Sequence, residues 1–372
     1  MEPIRVLCVF ARLDRGGAES MCMNLYRAMD KQLVQFDFVK HTSQKCDFDD
    51  EIVSMGGRIY EAPKYGVINH HKYVSWWRSF FKIHTEYELI HGHYFTLSYV
   101  YFKIAHEYGL CTIGHAHSER PPINSAKFWI KRRTVKWIEK ESDVCLACST
   151  AAGQYLFPHK EFTVLKNAID ANRFTWNKRR AELIRYDLEI SDDCMVIGAC
   201  GRFSPQKNPF GLIDIFYEVH NLNKNTMLLW VGEGEMRPRI ENRVHQYGLD
   251  DCVVLMGICS NVNEIMQAMD IFILPSLWEG LAVVSIEAQA AGLPCYFSDS
   301  VTRECAITDL CHFLPIDKPA IWAEEILSCH QKRKNMTEEI KNAGFDISVT
   351  SKWLEEFYIN LQKEASKEGS GQ

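Results

Sequence analysis

Two carboxylates stand eight residues apart within residues 275–288, beside a short apolar stretch. Glu279 follows a β-branched run, and Gly280 comes next, where a glycine allows a ligand to approach the backbone closely. The pattern predicts a helix that begins near Leu281, with Glu287 about two turns in. Because free amides at a helix start attract anions, the stretch predicts a diphosphate site with carboxylates for sugar hydroxyls. An ordinary helix start with an acidic first turn is the alternative.

A second charged loop, residues 201–208, directly follows another apolar run. It carries Arg202 and Lys207, a planar guanidinium and a point-charge ammonium. On one short loop these cations can hold two phosphates and stabilise the charge that develops as a phosphate leaves. A basic loop can also be merely solvated, but its position after a strand, in the same half as Glu279, favours phosphate binding.

Paired glycines, Gly16 and Gly17, follow the first apolar run and open a helix predicted to extend to about Met29. They would let backbone amides approach a ligand, although the spacing is not the dinucleotide-binding G-x-G-x-x-G. Taken alone, the pair is better explained by an ordinary strand-to-helix turn.

Two histidine pairs, His91 with His93 and His115 with His117, each end a predicted strand. Residues two apart on a strand share a face, so either pair could bind a metal ion, as in metal-dependent hydrolases. No carboxylate or third ligand stands at a spacing that would complete such a site. We therefore predict no metal, and a histidine that makes a hydrogen bond in a ligand cleft.

Short apolar runs alternate with longer helical stretches in both halves, the pattern of parallel sheets covered by helices. The predicted strands are 4–10, 36–41, 58–62, 89–91, 111–115, 144–149, 195–201, 227–232, 253–257, 271–275 and 294–298. The predicted fold is α/β, with two doubly wound, Rossmann-like domains that face each other across a cleft. We predict domains over residues 1–170 and 171–348, with a closing helix over 349–367 that is able to pack back on the first domain. Ligands of such sheets bind beyond the carboxyl ends of the strands, where the charged loops stand.

Charge is unevenly distributed along the 372 residues, whose net charge is −6. The first 170 residues carry 22 Lys and Arg against 19 Asp and Glu, and the rest carry 20 against 29. An acidic second half argues against a nucleic-acid binder. No apolar run reaches the roughly 18 residues of a membrane span, and residues 1–5 lack the character of a secretory signal. We expect a cytoplasmic protein, with the inner face of the membrane as a peripheral location left open.

The stretch 127–140 is both basic and aromatic. On a helix Arg132, Arg133, Lys136 and Lys140 fall on one arc, while Trp137 and Ile138 fall on the apolar side. Such a helix could lie on anionic lipid, supported by the aromatic residues 76–81, or it could be a solvated basic face over packed aromatics.

Taken together, these residues resemble the large family 4 of retaining glycosyltransferases, which share the two-domain GT-B fold. The shared motifs are the turn 16–19, the segment 167–170, the loop 201–207, the residues 231–234 and the pair Glu279 and Glu287, which matches the family's E-x7-E. They occur in order over nearly the whole chain. The phrases 277–281 and 287–294 look most like bacterial capsular and exopolysaccharide-type members.

The resemblance implies a role for each matching charged residue. Arg202 and Lys207 would hold the donor diphosphate, and Glu287 would hold the donor ribose. Glu279 would contact hydroxyls of the transferred sugar. Arg202, Lys207 and Glu279 are therefore expected to be catalytic.

The uncharged positions are also carried over from the family. The amides of Leu281 and Ala282 would bind the distal phosphate, and Ile258 would face the base. Gly201 and Gly280 would line the same donor site.

On the other side of the cleft, the histidine that ends the fifth strand in such enzymes lies near the reacting carbon. His115 matches it best and is therefore also expected to be catalytic, and His117 is the alternative, on the acceptor side. Gly16 and Gly17 would line the donor cleft from that side.

Three positions depart from the family pattern. Ala168 and Asn208 stand where glycine is common, and Ala282 replaces a frequent proline. None removes a charged group, but the first could alter the linker backbone.

The sequence thus favours a metal-independent, retaining glycosyltransferase of surface polysaccharide synthesis. It would move a hexose-type sugar from a UDP- or GDP-linked nucleotide sugar to a glycan or polyprenyl-linked saccharide, without a cofactor. Two alternatives stay open: a sugar-nucleotide epimerase on the same fold, and a metal-dependent hydrolase that uses the two histidine pairs.

Overall fold

Strands and helices alternate along the chain in the computed structural model, which describes residues 2–93, 97–117 and 128–369. They form two units. The N-terminal unit contains residues 1–168 and 347–372, and the C-terminal unit contains residues 169–346. The last helix therefore belongs to the same unit as the first strand.

The N-terminal unit is a parallel sheet with helices on both faces. Its strands are β1 (Ile4–Phe10), β2 (Val34–Lys40), β3 (Ile59–Glu61), β4 (Leu89–Gly92), β5 (Cys111–Ala116), β6 (Val144–Ala147) and β7 (Thr163–Val164). Its helices are α1 (Gly17–Ala28), α2 (Asp49–Ser54), α3 (His70–Ile83), α4 (Ser98–Glu107), α5 (Phe128–Glu141), α6 (Thr150–Leu156) and α15 (Ile347–Gly369). The strands pair in the order β3-β2-β1-β4-β5-β6-β7, with every pair parallel.

The central strand β1 is buried on both faces of this sheet. Val6 and Cys8 belong to a core that also contains side chains of α1 and α15, including Tyr358. Leu7 and Val9, which alternate with them, pack with aromatic residues of α3 and α4. Both faces of the sheet therefore need a helical layer, and α15 supplies part of one.

The C-terminal unit has the same architecture. Its strands are β8 (Met195–Cys200), β9 (Thr226–Val231), β10 (Val253–Gly257), β11 (Ile271–Leu274), β12 (Cys295–Ser298) and β13 (Cys311–Leu314). Its helices are α7 (Ala171–Phe174), α8 (Lys178–Asp187), α9 (Pro209–Leu222), α10 (Arg237–Gln246), α11 (Val262–Ala268), α12 (Val283–Ala290), α13 (Pro319–Leu327) and α14 (Thr337–Ile340). The strand order is β10-β9-β8-β11-β12-β13, again all parallel.

The predicted fold class is confirmed, since each unit is a doubly wound parallel sheet. The predicted strands are present with ends shifted by up to two residues, but β7 and β13 were not predicted. Both lie at a sheet edge: β7 has two exposed residues, and β13 is mostly half-buried, so neither gives a clear apolar run. The helix predicted from about Leu281 begins two residues later, at Val283.

The three departures from the family pattern fit their local backbone. Asn208 adopts the left-handed conformation with φ 52°, which asparagine tolerates better than most non-glycine residues, and its side chain caps α9. Ala282 has φ −67°, the value that a proline would impose. Ala168 is not among the described non-glycine residues with positive φ, so it needs no glycine there.

The predicted basic and aromatic helix is α5, but the prediction that Trp137 lies on its buried, apolar side was wrong. Val135 and Ile138 are buried as expected, but Trp137 is 47% exposed and lies against Tyr99, with ring centroids 5.0 Å apart. Lys127 and the side chains of Phe128, Trp129, Ile130, Arg132 and Arg133 lie outside the described residues. Trp77, Phe80 and Phe81 of α3 are buried in the core. In the described part of the chain, no helix combines the length and apolar character needed to cross a bilayer.

Candidate active site

Two loops of the C-terminal unit are joined at the carboxyl ends of β8 and β11, which are neighbours in the sheet. The amide of Leu277 donates to the carbonyl of Gln206 at 2.8 Å. In return, the Gln206 side chain donates to the carbonyl of Trp278 at 3.1 Å and to Glu279 Oε2 at 3.3 Å. The two charged loops found in the sequence therefore form one site.

Lys207 and Glu279 form the centre of that site. Lys207 Nζ lies 2.6 Å from Glu279 Oε1, with side chains only 19% and 8% exposed. Gly201 makes room for the lysine: its φ is 153°, and a Cβ there would lie 3.0 Å from Lys207 Cε. The Glu279 backbone is fixed by a parallel bridge to Val301. A shielded cation and a shielded carboxylate thus stand together where a ligand of a doubly wound sheet binds.

Arg202 occupies the outer part of the same loop. Its side chain is 75% exposed, and Nη2 lies 3.4 Å from Glu235 Oε2. An exposed ion pair of this kind is worth about 0–1 kcal/mol. The guanidinium can therefore exchange this partner for a phosphate at little cost.

Helix α12 begins just after this loop. Ala282 stands at its N-cap position, and no side chain in the described part of the chain caps the helix. Leu281 is buried in the core, and Gly280 is half-buried. An anion at the start of α12 would meet backbone groups, and the phosphate contacts expected from the sequence for Leu281 and Ala282 stay a prediction.

Glu287 lies in the second turn of α12 and is half-buried. Burial raises the pKa of its carboxyl to about 7, and the charge of Arg173 opposes this shift. Its charge also acts on the Cys200 thiol, so the carboxyl lies near the end of β8. Among the described residues, its side chain makes no hydrogen bond or ion pair and can accept hydrogen bonds from a ligand.

Ile258 follows β10 and is 59% exposed. The preceding Gly257 has φ 70° and bridges Gly232 at the end of β9, which fixes this turn beside the strand ends. Its predicted contact with a base stays a prediction.

In the N-terminal unit, Gly16 and Gly17 form the turn between β1 and α1. They have different surroundings. A Cβ on Gly16 would clash with Glu19 Oε2, whereas a Cβ on Gly17 would meet nothing within 4 Å. Burial raises the pKa of Glu19 to about 7. Gly16 thus leaves room for the glutamate of its own helix, and only Gly17 faces open space.

The histidine pairs lie at the ends of β4 and β5, which are adjacent, with Gly92 paired to Gly114. A Cβ on Gly92 would lie 2.6 Å from Phe102 Cζ, and one on Gly114 would clash with Ser142 Oγ. The glycines therefore let the helical layer pack closely on one face. Strand alternation places the histidine side chains on the other face.

The four imidazoles form two hydrogen-bonded groups. Tyr358 OH lies 2.6 Å from His91 Nδ1, and His91 Nε2 lies 3.1 Å from His115 Nδ1. His93 Nδ1 lies 2.8 Å from His117 Nε2. Burial lowers the pKa of His91 and of His117 to about 3, and it holds the pKa values of His93 and His115 well below their usual range. All four rings are therefore neutral at physiological pH.

The expectation that no third ligand accompanies a histidine pair was wrong. Ring nitrogens of His93, His115 and His117 all lie within 4.8 Å of one another, and a second such group contains Cys8, His91 and His93. The sequence separates these residues, but β1, β4 and β5 are neighbours in the sheet. His115 and His117 stand in one cluster, so the structure does not choose between them by location.

The chain is similar in sequence to known protein families. Residues 15–173 match the model of Glycosyltransferase Family 4, and residues 181–343 match that of Glycosyl transferases group 1. The EpsF protein of Bacillus subtilis (strain 168), which carries the name of a glycosyltransferase, is 32% identical over 358 residues, covering 92% of this chain and 93% of EpsF. The chain belongs to the family 4 glycosyltransferases.

Other similar proteins agree with this family. An Escherichia coli enzyme named UDP-Gal:alpha-D-GlcNAc-diphosphoundecaprenol alpha-1,3-galactosyltransferase is 30% identical over 156 residues, covering 41% of this chain and 40% of that enzyme. The solved structure of Anabaena HepE in complex with UDP and glucose has a TM-score of 0.79 at 17% identity, covering 95% of this chain and 99% of HepE. The solved structure of sucrose-phosphate synthase from Thermosynechococcus elongatus has a TM-score of 0.80 at 17% identity, covering 97% of this chain and 99% of the synthase. These structures show the GT-B fold.

Sequence reasoning missed two residues that organise the sites of this glycosyltransferase. Gln206 joins the two charged loops, and Tyr358 reaches His91 from α15. Gln206 lies within the loop 201–207 and could have been singled out as a polar neighbour of Lys207. Tyr358 gives no local signal, because its partner lies 267 positions away.

Proposed function

We propose that this glycosyltransferase transfers a hexose-type sugar from a nucleotide sugar, with retention of configuration and without a metal ion or cofactor. The observation that carries the proposal is the pairing of Lys207 with Glu279, held by Gln206 between two loops at the strand ends. Breaking the anomeric bond leaves a diphosphate dianion, and the barrier falls where positive groups are already in place.

In the free protein, the lysine neutralises the carboxylate. A diphosphate offers Lys207 a stronger anionic partner, which would release Glu279 for the sugar hydroxyls. Arg202, which holds only an exposed ion pair, would join Lys207 on the phosphates. The uncapped start of α12, at Ala282, would add backbone amides, and Glu287 would accept hydrogen bonds from the ribose.

The names and contents of the relatives support a proposal for the donor and acceptor classes. The name of the Escherichia coli relative includes a UDP-linked donor and a diphosphoundecaprenol-linked acceptor, and HepE was solved with UDP and glucose. We accordingly propose a UDP-linked donor ahead of a GDP-linked one, and a glycan or polyprenyl-linked saccharide as acceptor. Synthesis of a surface polysaccharide is the process that such a transfer would serve.

Thermal unfolding in the presence of UDP, GDP, ADP and their sugars tests the donor site. A nucleotide at about 100 times its Kd adds roughly 2.7 kcal/mol to the free energy of unfolding and raises Tm by several degrees. The shift should shrink in Arg202→Ala. Arg180→Ala is the matched control, because Arg180 also lies 3.4 Å from a glutamate in an exposed pair. The shift should persist in this variant, since Arg180 lies on α8 and not in either charged loop.

Transfer to a lipid-linked or soluble saccharide is then measured with and without EDTA, and the anomer of the product is identified by NMR. Retained configuration and an EDTA-insensitive rate support the proposal. Absence of a thermal shift with every nucleotide, or an inverted product, would contradict it.

A further inference from the structure

The Tyr358 hydroxyl has one hydrogen-bond acceptor among the described residues, a ring nitrogen of His91. Tyr358 is fully buried, and its hydroxyl lies 2.6 Å from His91 Nδ1, its single hydrogen-bond partner in the described part of the chain. If His91 donated from Nδ1, the buried tyrosine hydrogen would have no acceptor. An unmade buried hydrogen bond disfavours that direction by roughly tenfold or more. Tyr358 therefore donates, and His91 Nδ1 accepts.

The direction of the first bond fixes the next one. A neutral imidazole has one N–H, so a His91 ring that accepts at Nδ1 carries its hydrogen on Nε2. That Nε2 lies 3.1 Å from His115 Nδ1 and donates to it. By the same rule, His115 accepts at Nδ1 and carries its own hydrogen on Nε2. His115 Nε2 is buried and has no hydrogen-bond partner among the residues that the structure describes.

We infer that Tyr358 and His91 are positioning residues, which hold His115 in the tautomer that presents an Nε2–H donor to a substrate oxygen. The inference rests on the proposed function for the identity of that substrate, a sugar or phosphate oxygen. It also excludes two other uses of His115 in the resting protein. An Nε2 that carries a hydrogen cannot accept a proton as a general base, and it cannot ligate a metal ion with His93 and His117.

The tautomers of the second histidine pair, His93 and His117, are not determined by their hydrogen bonds. His93 Nδ1 and His117 Nε2 share one hydrogen bond, and no hydroxyl at either end determines its direction among the described residues. Within the described ranges, His93 Nε2 is also buried without a hydrogen-bond partner. The relay from Tyr358 therefore distinguishes His115 from its neighbour, which the position of the residues alone does not.

Nitrogen NMR of the full chain with labelled histidine rings tests the inference directly. Neutral rings report which nitrogen carries the hydrogen, and His91→Gln and His115→Gln variants assign the two signals. The expected result is a protonated Nε2 and an unprotonated Nδ1 in both rings. A His115 ring protonated at Nδ1, or one zinc ion bound per chain with loss of the His115 N–H signal, overturns it.

Tyr358→Phe should release the tautomers and lower kcat about tenfold, with little change in the KM for the donor. Tyr26→Phe is the matched control, because this variant also loses a buried hydroxyl bond in the same core, to Gln35, and Tyr26 has no hydrogen bond to a described histidine. An unchanged NMR pattern in Tyr358→Phe overturns the relay. The NMR result does not depend on turnover, so a correct tautomer with no transfer would refute the proposed function and not the relay.

Discussion

The two units use the same sheet architecture to build opposite electrostatic environments at their strand ends. In the C-terminal unit the polar groups are charged and paired, with Lys207 on Glu279 and Arg202 on Glu235. In the N-terminal unit the groups are imidazoles that burial keeps neutral, joined by hydrogen bonds to one another and to Tyr358. Charges suit a pyrophosphate that must be held as it leaves, whereas neutral imidazoles with fixed hydrogens suit the orientation of hydroxyls.

One carboxylate in each unit departs from this division. Burial raises the pKa values of Glu19 and of Glu287 to about 7, so each is half-ionised near neutral pH. A group whose pKa is raised on folding contributes stability below its unfolded value of about 4.5, and this contribution is lost as the pH rises through 7. A ligand that donates hydrogen bonds to the ionised form recovers part of that loss.

The largest effect on the transfer rate is expected when the charged centre of the C-terminal unit is removed. Lys207→Ala should reduce the transfer rate about 100- to 1,000-fold, the range seen when one group that stabilises developing charge is lost. The variant should still fold, because Gln206 continues to donate to Glu279, but it should be less stable, since Glu279 loses its cationic partner. Lys224→Ala, an exposed lysine in the loop that precedes β9, is the control and should transfer normally. Near-normal transfer by Lys207→Ala would contradict the view that the charged residues of the C-terminal unit hold the leaving pyrophosphate.

The second effect concerns the pH dependence of donor binding. If Glu287 must be ionised to accept the ribose hydroxyls, the affinity for a nucleotide sugar should rise about tenfold between about pH 6 and 8, following a pKa of about 7. Titration calorimetry at several pH values measures this rise. A sugar nucleotide is used because its diphosphate does not titrate in that range.

Glu287→Gln should make the affinity independent of pH across that window. Glu324→Gln, a change at an exposed carboxylate on α13, should leave the dependence intact. A pH response that survives in Glu287→Gln would assign it to another group and separate Glu287 from the ribose.

The smallest effect compares the paired glycines of the N-terminal unit. Gly16→Ala should lower the free energy of unfolding by up to about 1 kcal/mol, because the new methyl must displace the Glu19 carboxylate. Gly17→Ala should raise it by about 0.4–1 kcal/mol, since its methyl meets nothing and the unfolded chain loses freedom. Urea denaturation measures both, and equal effects of the two changes would contradict the packing described for Glu19.

The sequence predicted the fold class because the parallel sheets leave a local record. Buried strands such as β1 and β11 read as short apolar runs, and their spacing by helical stretches is visible without any long-range information. The edge strands β7 and β13 were missed for the same reason, since half-exposed strands carry no such run. Trp137 was misplaced because helical periodicity gives a side of the helix and not the partner that lies there.

The candidate donor residues were also found from the sequence, because Arg202, Lys207, Glu279 and Glu287 follow strands at recognisable spacings. Their assigned roles stay predictions, but the fold places the first three in loops at strand ends and Glu287 in the helix that follows β11. That Gln206 ties the two loops together depends on β8 and β11 being neighbours, which the chain order does not reveal.

Sequence alone thus determined which chemical groups stand at the ends of the strands, because strand periodicity and motif spacing are local. Only the tertiary structure decided which of them meet. It brought His93 beside His117 by pairing β4 with β5, and it placed Tyr358 of the last helix on His91. Hydrogen-bond direction, ring neutrality and pKa depend on partners and burial, and these arise only when distant segments pack into one core.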